Sequence, residues 1–372
     1  NTMDHQTSVP KITHLPYRIR LLLLIATACY VGGCGTLGPT SIQRDRTDYG
    51  TVIATTWKEQ TLLNIVKLRY ADAPVYLEVS SVISSSAIQS QVNLAAGWFS
   101  GWPNDGRSQA IGASGVYTDR PTISYTPLSG ERFSRYLLQP LSPEAVFSLI
   151  QAGYPVDRVL QLTVRAANGV YNRSVSPTRL RAADPRFYEL LDALRRIQRS
   201  ESLGVRVSTR ANERSEVLMI ERDIPDDVEK DRRTVRKILH LRPDKDELTL
   251  TFGMVSRSDT EIALLTRSMS EIFLELAATI EAPAAHLQDG RANPMPPVPD
   301  HPSPWDDPLV RIHSSEERPA DAYAAVHYRD YWFWIDDHDM KSKSEFLFIL
   351  VLFSLAETGV APQAPVITVP AN

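Results

Sequence analysis

The densest group of side chains able to do chemistry is the run Asp336-Asp337-His338-Asp339. Carboxylate oxygens and imidazole nitrogens are ligands for hard or borderline metal ions, so Asp337, His338 and Asp339 are candidate metal ligands. A distant histidine would have to complete such a site: His301, His313 or His327. A second interpretation is that these acids precede a helix and complement its positive N-terminal end. Neighbouring residues cannot all point at one ion, which favours the helix interpretation.

Other reactive patterns are weaker. The sequence contains no G-x-S-x-G elbow, phosphate loop, dinucleotide fingerprint or H-E-x-x-H motif. Gly112-Ala113-Ser114-Gly115 lacks the spacing of the elbow. A catalytic triad can assemble from distant residues, so these absences lower the expectation of an enzyme without removing it. We therefore expect a non-enzymatic protein without a cofactor.

Two clusters, one acidic and aromatic and one basic, each allow a binding role and a plainer one. Asp306-Asp307 beside Trp305 fits a sugar-contacting patch or a solvated turn. The basic residues within 232–237 fit contact with anionic lipid, but acids are interleaved through 226–231, which favours a self-neutralising, solvated helix. His240 and His286 stand alone in the sequence, and we expect surface or core roles for both.

The N-terminal segment has the organisation of an export signal. Lys11, Arg18 and Arg20 precede an apolar run over 21–31. That run has about 11 residues, which suits the apolar region of a signal peptide and is too short for a stable bilayer span. It ends in Val31-Gly32-Gly33-Cys34.

The Val31–Cys34 run resembles the lipobox of bacterial lipoproteins. The resemblance implies cleavage between Gly33 and Cys34 and acylation of the Cys34 thiol. Several acyl chains anchor a protein stably to a membrane. In such lipoproteins, an aspartate directly after the cysteine favours retention in the inner membrane. This chain has Gly35 at that position, which implies the outer membrane, with the protein facing the periplasm. Since Cys29 would leave with the signal, no thiol would remain for disulfides or catalysis.

Composition sets wider limits. The 372 residues are 43% hydrophobic and 23% charged, with a net charge of −4, which is typical of a globular protein with a substantial core. Two cysteines exclude a disulfide-rich scaffold. The near-neutral charge gives no reason to expect a nucleic-acid partner.

Apolar periodicity and capping residues predict the elements of the central chain. A helix is expected over Ser41–Tyr70. Ser142-Pro143-Glu144 and Asp184-Pro185 each carry a capping residue followed by a proline at the first helical position, which predicts two further helices. Three more elements are a strand over Val156–Val164, a hairpin over Val205–Glu221 and a charged helix over Asp226–Leu241. A further helix is predicted to begin with a capping box at Ser258 and Glu261 and to continue to Ile280.

A long, nearly uncharged segment near 82–118 predicts a Ser/Gly-rich β-hairpin. Apolar and polar residues alternate on both legs, and a turn falls within 101–106. Each leg is long enough for a membrane strand, which needs about 9–11 residues. A single hairpin cannot enclose a pore, so several subunits would have to pool theirs. The Ala, Gly and Ser content favours a soluble hairpin instead.

The C-terminal part is predicted to follow a proline-rich, extended linker over 283–308. Strands over Tyr323–Tyr328 and Tyr331–Ile335 flank the two-residue turn Arg329-Asp330. Ser342 and Glu345 predict the start of a helix that is apolar all round and therefore buried. A last strand is predicted over Val366–Val369.

These elements predict an α+β fold with a mixed, mainly antiparallel sheet and packed helices. The predicted organisation is a leader over 1–33, a lipid tether over 34–40, a helix and hairpin region over 41–128, a central α+β region over 129–282, the linker over 283–308, and a C-terminal hairpin and helix module over 309–372.

Three further segments resemble parts of an uncharacterised lipoprotein family of Gram-negative bacteria: Trp57–Tyr70, Arg120–Pro127 and Tyr331–Asp337. The resemblance covers most of the chain after the leader. No activity is assigned to that family, so the likeness implies a location and no mechanism.

The function expected from the sequence is that of a lipid-anchored envelope protein that interacts with an envelope partner or with a copy of itself. One alternative is a pore-forming oligomer that uses the hairpin near 82–118. Another is a periplasmic metal-dependent hydrolase around Asp337, His338 and Asp339.

Overall fold

The structure is a computed structural model. It describes residues 39–83, 86–99, 106–119, 122–176, 179–210, 213–220, 226–245, 247–295 and 304–356.

Helix α1 (Pro39–Arg69) confirms the predicted first helix. The division between the two compact units of the chain falls within it, between Lys58 and Glu59. In the second unit, one face of the helix is fully buried through Leu62, Ile65 and Val66. This i, i+3, i+4 spacing is that of a helix packed on a core.

Two antiparallel strand pairs follow α1. Strand β1 (Leu77–Ile83) pairs with β4 (Thr122–Pro127), ending at Ile83 opposite Thr122. Strands β2 (Ser86–Phe99) and β3 (Gly106–Asp119) pair along their whole length and are called the ribbon below. The predicted hairpin falls on this ribbon. Because residues 100–105 lie outside the described residues, the hairpin itself stays a prediction.

A six-stranded sheet organises the centre of the second unit. Its strands are β5 (Val164–Ala167), β6 (Val170–Tyr171), β9 (Leu203–Arg210), β10 (Glu213–Ile220), β11 (Glu247–Phe252) and β12 (Glu261–Thr266). Their order is β6-β5-β12-β11-β10-β9. The pairing of β11 with β12 is parallel and the other four are antiparallel. Two short strands, β7 (Ser174–Ser176) and β8 (Arg179–Arg181), pair with each other.

Helices account for most of the remaining described chain. They are α2 (Gly130–Phe133), which continues as a π-turn over Ser134–Leu138, α3 (Pro143–Gln151), α4 (Val156–Thr163), α5 (Pro185–Arg199), α6 (Asp226–Ile238), α7 (Met269–Ala278), α8 (Ala284–Gln288) and α9 (Met340–Ala356). The predicted caps of two of them are confirmed. Ser142 Oγ accepts from the Ala145 amide of α3 at 3.1 Å, and Asp184 Oδ1 accepts from the Arg186 amide of α5 at 3.0 Å.

A second, three-stranded sheet lies in the C-terminal part, in the order β13 (His313–Ser315), β15 (Tyr331–Asp336), β14 (Ala322–Tyr328). The predicted two-residue turn is confirmed. Arg329 and Asp330 have φ of 51° and 69°, as a type I′ turn requires at both central positions. Helix α9 buries Phe346 and Ile349 completely. None of the helices in the described residues has the length and apolar character needed to cross a membrane.

The predicted strand over Val156–Val164 is wrong, because residues 156–163 form α4 and only Val164 begins a strand. Val156, Val159, Leu160 and Thr163 are all buried. Asp157, Gln161 and Leu162 are buried too, so the helix is enclosed on almost every side. The β-branched residues of this segment suggested a strand, and because the helix is buried almost all round, it lacks the solvent-exposed face of a surface helix.

The predicted helix beginning at Ser258 is also wrong. Residues 261–266 form β12, and the capping box lies ten residues later, where Ser268 Oγ accepts from the Glu271 amide and Glu271 Oε2 from the Ser268 amide. Glu261 instead accepts from Thr251 Oγ1 at 2.6 Å. A short continuous apolar run can be a buried strand or a buried helix segment, and here it is the strand.

Two smaller predictions need correction. The segment 283–308 is folded at both ends, with α8 near its start and a single helical turn over Pro304–Asp306 that buries Trp305. Helix α9 begins before Ser342, whose amide and hydroxyl both donate to the side chain of Asp339. Asp339 is therefore the cap.

The α+β class and the mainly antiparallel pairing are confirmed. The predicted domain boundaries stay predictions, and the strand expected over 366–369 lies outside the described residues.

Candidate functional site

A cavity of about 260 Å³ opens beside the end of the six-stranded sheet. It is called the arginine pocket below and is lined by Arg165, Tyr171, Asn172, Ser174, Val175, Arg181, Arg267, Glu271, Leu274 and Glu275. These residues come from β5, β6, β7, β8 and α7, and from the junction between β12 and α7. The pocket therefore depends on the tertiary fold and on no single motif.

Three guanidinium groups converge on the pocket because three strands carry them there. Arg165 lies on β5, Arg181 ends β8, and Arg267 directly follows β12. Antiparallel pairing places Ala166 opposite Leu265, so Arg165 and Arg267 come from paired strands.

Arg267 is the buried member of the group, with 3% of its surface exposed. Its guanidinium donates to the carbonyl oxygens of Leu162, at 3.3 Å, and Arg173. Burial lowers the pKa of Arg267 from its ordinary value, and the nearby Glu275 carboxylate opposes that shift. Backbone carbonyl oxygens thus hold this cation in place inside the protein.

Both carboxylates of the pocket are already engaged. Glu271 accepts from Arg165 at 3.2 Å and from the Ser268 amide in the capping box. Glu275 accepts from Arg173 Nε at 3.1 Å and from the Val175 amide at 2.8 Å. They fix the positions of arginines and backbone and do not neutralise the whole pocket.

Arg181 is different, because its guanidinium lies over the ring of Tyr171, 3.6 Å from the centroid. No carboxylate of the described residues lies within ion-pair distance of Arg181. Tyr171 in turn donates from its hydroxyl to Met254 Sδ at 2.9 Å. The aromatic ring therefore connects this cation to the loop that follows β11.

The chemistry available in the pocket is that of anion binding. Arginine recognises carboxylate and phosphate with paired, charge-assisted hydrogen bonds. The lining carboxylates are held by arginines and amides, so the geometry offers cationic donors and no free base for proton transfer. The sequence interpretation missed this site. Its one local signal was Arg267, an arginine placed between an apolar run and a capping box.

The three acids of the run 336–339 have separate structural roles. Asp336 Oδ1 accepts from the His338 amide at 2.9 Å, Asp337 pairs with Lys343 at 2.7 Å, and Asp339 caps α9. The hydrogen bonds from His338 lower the pKa of Asp336. Burial tends to raise the pKa of Asp339, but hydrogen bonds from Ser342 outweigh it and leave that pKa lowered.

The candidate metal ligands are not brought together. In the part of the chain that the structure describes, no group of three His, Cys, Asp or Glu is placed to hold a metal ion. His313 pairs with Glu281 at 2.9 Å, and the His327 ring packs against Trp332. His301 lies outside the described residues.

His286 and Trp305 have packing roles. The Tyr70 hydroxyl and His286 Nδ1 lie 2.7 Å apart, and both residues are buried. Burial raises the pKa of Tyr70 to about 12 and lowers that of His286. Trp305 stacks on Tyr188, whose hydroxyl donates to Asp306 at 3.1 Å. Asp306 is thus part of the packing, where the sequence suggested a sugar patch or a solvated turn.

The predicted lipid attachment residue Cys34 and the preceding Gly33 lie outside the described residues. Comparisons of the chain with protein families, curated proteins and solved structures found no match. The lipoprotein resemblances therefore stay predictions.

Proposed function

We propose that this chain is a non-enzymatic, lipid-anchored protein of the bacterial cell envelope that acts as an assembly component. It is anchored to the outer membrane through Cys34 and faces the periplasm. The sequence Val31-Gly32-Gly33-Cys34 supports the anchor, and the ribbon supports the role in assembly.

The ribbon is the observation that carries the proposal. Among the described strands, β2 and β3 pair only with each other, over 14 residues each. The outer backbone edge of each strand therefore has no strand partner in the described part of the chain. A two-stranded ribbon is marginally stable alone in water, and unpaired edges are templates for another strand.

The partner that the ribbon fits best is a second copy of this chain. Proteins usually protect exposed edges with charged residues or proline. The two strands contain no proline and only two charged residues, Arg107 and Asp119. Copies of so uncharged an edge do not repel one another, so edge-to-edge pairing between subunits is favoured.

The register suggests a sharp test. Because Ile83 lies opposite Thr122, residues 84–121 can be replaced by Asn-Gly, which favours a two-residue hairpin turn. We expect the full chain to sediment as an oligomer in non-ionic detergent and this shortened chain as a monomer. Asp330→Gly, in the turn of the β14–β15 hairpin, is the control and keeps the oligomer. A monomeric full chain, an oligomeric shortened chain, or pairing only with a different envelope protein contradicts self-assembly.

The anchor needs a separate experiment. Mass spectrometry of the protein from membranes should find Cys34 as an acylated N-terminal residue, and Cys34→Ser should abolish this processing. An unmodified N-terminus on the mature protein contradicts the anchor and leaves the assembly test unaffected.

A second candidate is the pore-forming oligomer. It is favoured by one observation, namely that each ribbon strand has 14 residues, whereas a membrane-crossing strand needs about 9–11. Ion conductance across planar bilayers that depends on residues 84–121 would support the pore. Complete digestion of the ribbon by protease in intact membrane vesicles would argue against it.

A further inference from the structure

The arginine pocket carries more positive charge than its own carboxylates neutralise. Arg165, Arg181 and Arg267 line it, against Glu271 and Glu275. The two carboxylates also accept hydrogen bonds from amides and from Arg173, which lies outside the lining. Among the described residues, the Arg181 guanidinium contacts the face of the Tyr171 ring and no carboxylate, so this cation of the pocket is available to an anion.

An exposed apolar surface adjoins the pocket. Phe252, Met254 and Val255 are 56%, 47% and 66% exposed. They lie at the end of β11 and in the loop that follows, and they are called the apolar lip below. Met254 touches the hydroxyl of Tyr171, and Tyr171 carries Arg181 on its ring. Three large neighbouring apolar side chains in water indicate a surface that binds something apolar.

We propose that the arginine pocket and the apolar lip together bind an anionic phospholipid, with the headgroup phosphate at Arg181 and Arg165 and the acyl region against the lip. The choice of a membrane lipid as the source of the phosphate rests on the proposed membrane location. The binding geometry does not depend on that location or on the ribbon.

Size and charge together select this ligand. Pockets for drug-sized ligands have volumes of about 300–1,000 Å³, so a cavity of about 260 Å³ suits a headgroup and leaves the rest of the molecule outside. A free phosphate would use the arginines and leave the apolar lip unused. A phospholipid uses both surfaces at once.

The lipid test is native mass spectrometry of the purified full chain in a non-ionic detergent, with phosphatidylglycerol or phosphatidylcholine added. We expect one phosphatidylglycerol to be retained per chain, and retention of phosphatidylcholine to be at least about tenfold weaker. Both lipids carry the phosphate, but the quaternary ammonium of choline places a second cation beside the arginines of the pocket and is repelled by them. Equal retention of the two lipids overturns the proposal. The same spectra show whether Cys34 is acylated and whether the chain self-associates. A failure of the proposed function can therefore be told apart from a failure of lipid binding.

Matched variants assign the two halves of the site. Arg181→Gln should weaken phosphatidylglycerol retention about tenfold, while Arg135→Gln, an exposed arginine paired with Glu131, leaves it unchanged. Phe252→Ser should weaken retention as well, while Leu347→Ser, at 54% exposure, does not. Unchanged retention in Arg181→Gln or in Phe252→Ser overturns the assigned site, provided that circular dichroism shows the variant folded.

A final experiment adds inorganic phosphate as a competitor. We expect it to compete with phosphatidylglycerol only weakly, because it cannot contact the lip. Phosphate that competes as strongly as phosphatidylglycerol itself would show a site for free phosphate and overturn the lipid proposal.

Discussion

At the scale of single residues, buried polar contacts hold distant parts of the second unit together. The Tyr70 and His286 side chains meet where the segment after α1 and helix α8 pack together, and the His286 ring also lies edge-on to Tyr331 of β15. Arg329, in the turn of the β14–β15 hairpin, covers the ring of Tyr70 and pairs with Asp72 at 2.9 Å. One small cluster therefore joins three segments that are far apart in sequence.

The hydrogen bond between Tyr70 and His286 gives the first prediction. Tyr70→Phe leaves His286 Nδ1 buried without this partner, and an unsatisfied buried group costs about 1–3 kcal/mol. We expect the free energy of unfolding in urea to fall by about 1–2 kcal/mol. The control is Tyr154→Phe, because the Tyr154 hydroxyl has no hydrogen-bond partner within the described residues. Equal losses in both variants would contradict the prediction.

Glu345 gives a pH-dependent prediction. Burial raises its pKa, although Arg158, 3.5 Å away, and Lys341 lower it and Asp157 adds to the increase. Since the folded-state pKa lies above the unfolded value, the wild-type protein loses stability as pH rises from the unfolded-state pKa through the folded-state one. Glu345→Gln removes this loss, so its stability relative to wild type should improve as the pH rises above the ordinary pKa of a glutamate, 4.5.

Urea unfolding at several pH values measures this effect. Glu189→Gln, on the exposed side of α5, is the matched control for replacing a glutamate by glutamine. A relative stability of Glu345→Gln that stays constant towards neutral pH would show that folding does not shift the pKa of Glu345. One that falls would show that the fold favours the charged form, and either result contradicts the prediction.

At the scale of elements, the start of α9 separates the two interpretations of the acidic run. Asp339→Ala removes the helix cap and should lower the free energy of unfolding by about 1 kcal/mol, while Asp339→Ser, which keeps a capping oxygen, should restore most of it. Asp337→Ala breaks only an exposed pair with Lys343 and should change stability little. If added Zn²⁺ or Ca²⁺ stabilises the wild-type protein and Asp339→Ala abolishes this effect, the result would instead support a metal site.

Two residues with positive φ make a matched pair for a backbone prediction. Asp330 has φ of 69° in an exposed turn, and Asn168 has φ of 44°. Asp330→Gly should raise the free energy of unfolding by about 0.5–1 kcal/mol, because glycine adopts this conformation without steric cost.

Asn168→Gly should be destabilising despite its positive φ. The Asn168 side chain donates to the Leu239 and Glu261 carbonyls and accepts from the Ala263 amide at 2.7 Å. Thermal unfolding of both variants checks the contrast, and a stabilised Asn168→Gly would contradict it.

Local signals determined how much of the elements could be predicted. Ser142 and Asp184 each precede a proline and fix the starts of two helices without reference to the rest of the chain. Ser258 with Glu261 and Ser268 with Glu271 present the same capping pattern ten residues apart, and only tertiary pairing of β12 with β5 and β11 decides between them. The arginine pocket could not be predicted, because strand pairing brings its residues together from distant positions.

At the scale of the whole molecule, the ribbon shares no strand pairing with the other sheets in the described part of the chain. Replacing residues 84–121 with Asn-Gly should leave the free energy of unfolding within about 1 kcal/mol of the full chain, because neither of the two larger sheets loses a strand. Denaturant unfolding of both chains in detergent, at concentrations where each is monomeric, measures this. Loss of the cooperative transition in the shortened chain would show that the ribbon belongs to the folding unit.

The order of strands in the central sheet has a consequence for how fast the protein folds. Strand β12 pairs with β5, which precedes it by about a hundred residues of chain, and a large loop must close before that contact forms. Domains dominated by such long-range pairings fold in milliseconds to seconds, where helical bundles need microseconds to milliseconds. During that interval the newly made chain exposes unpaired strands and is at its most vulnerable to aggregation, so its production in cells should depend on chaperones.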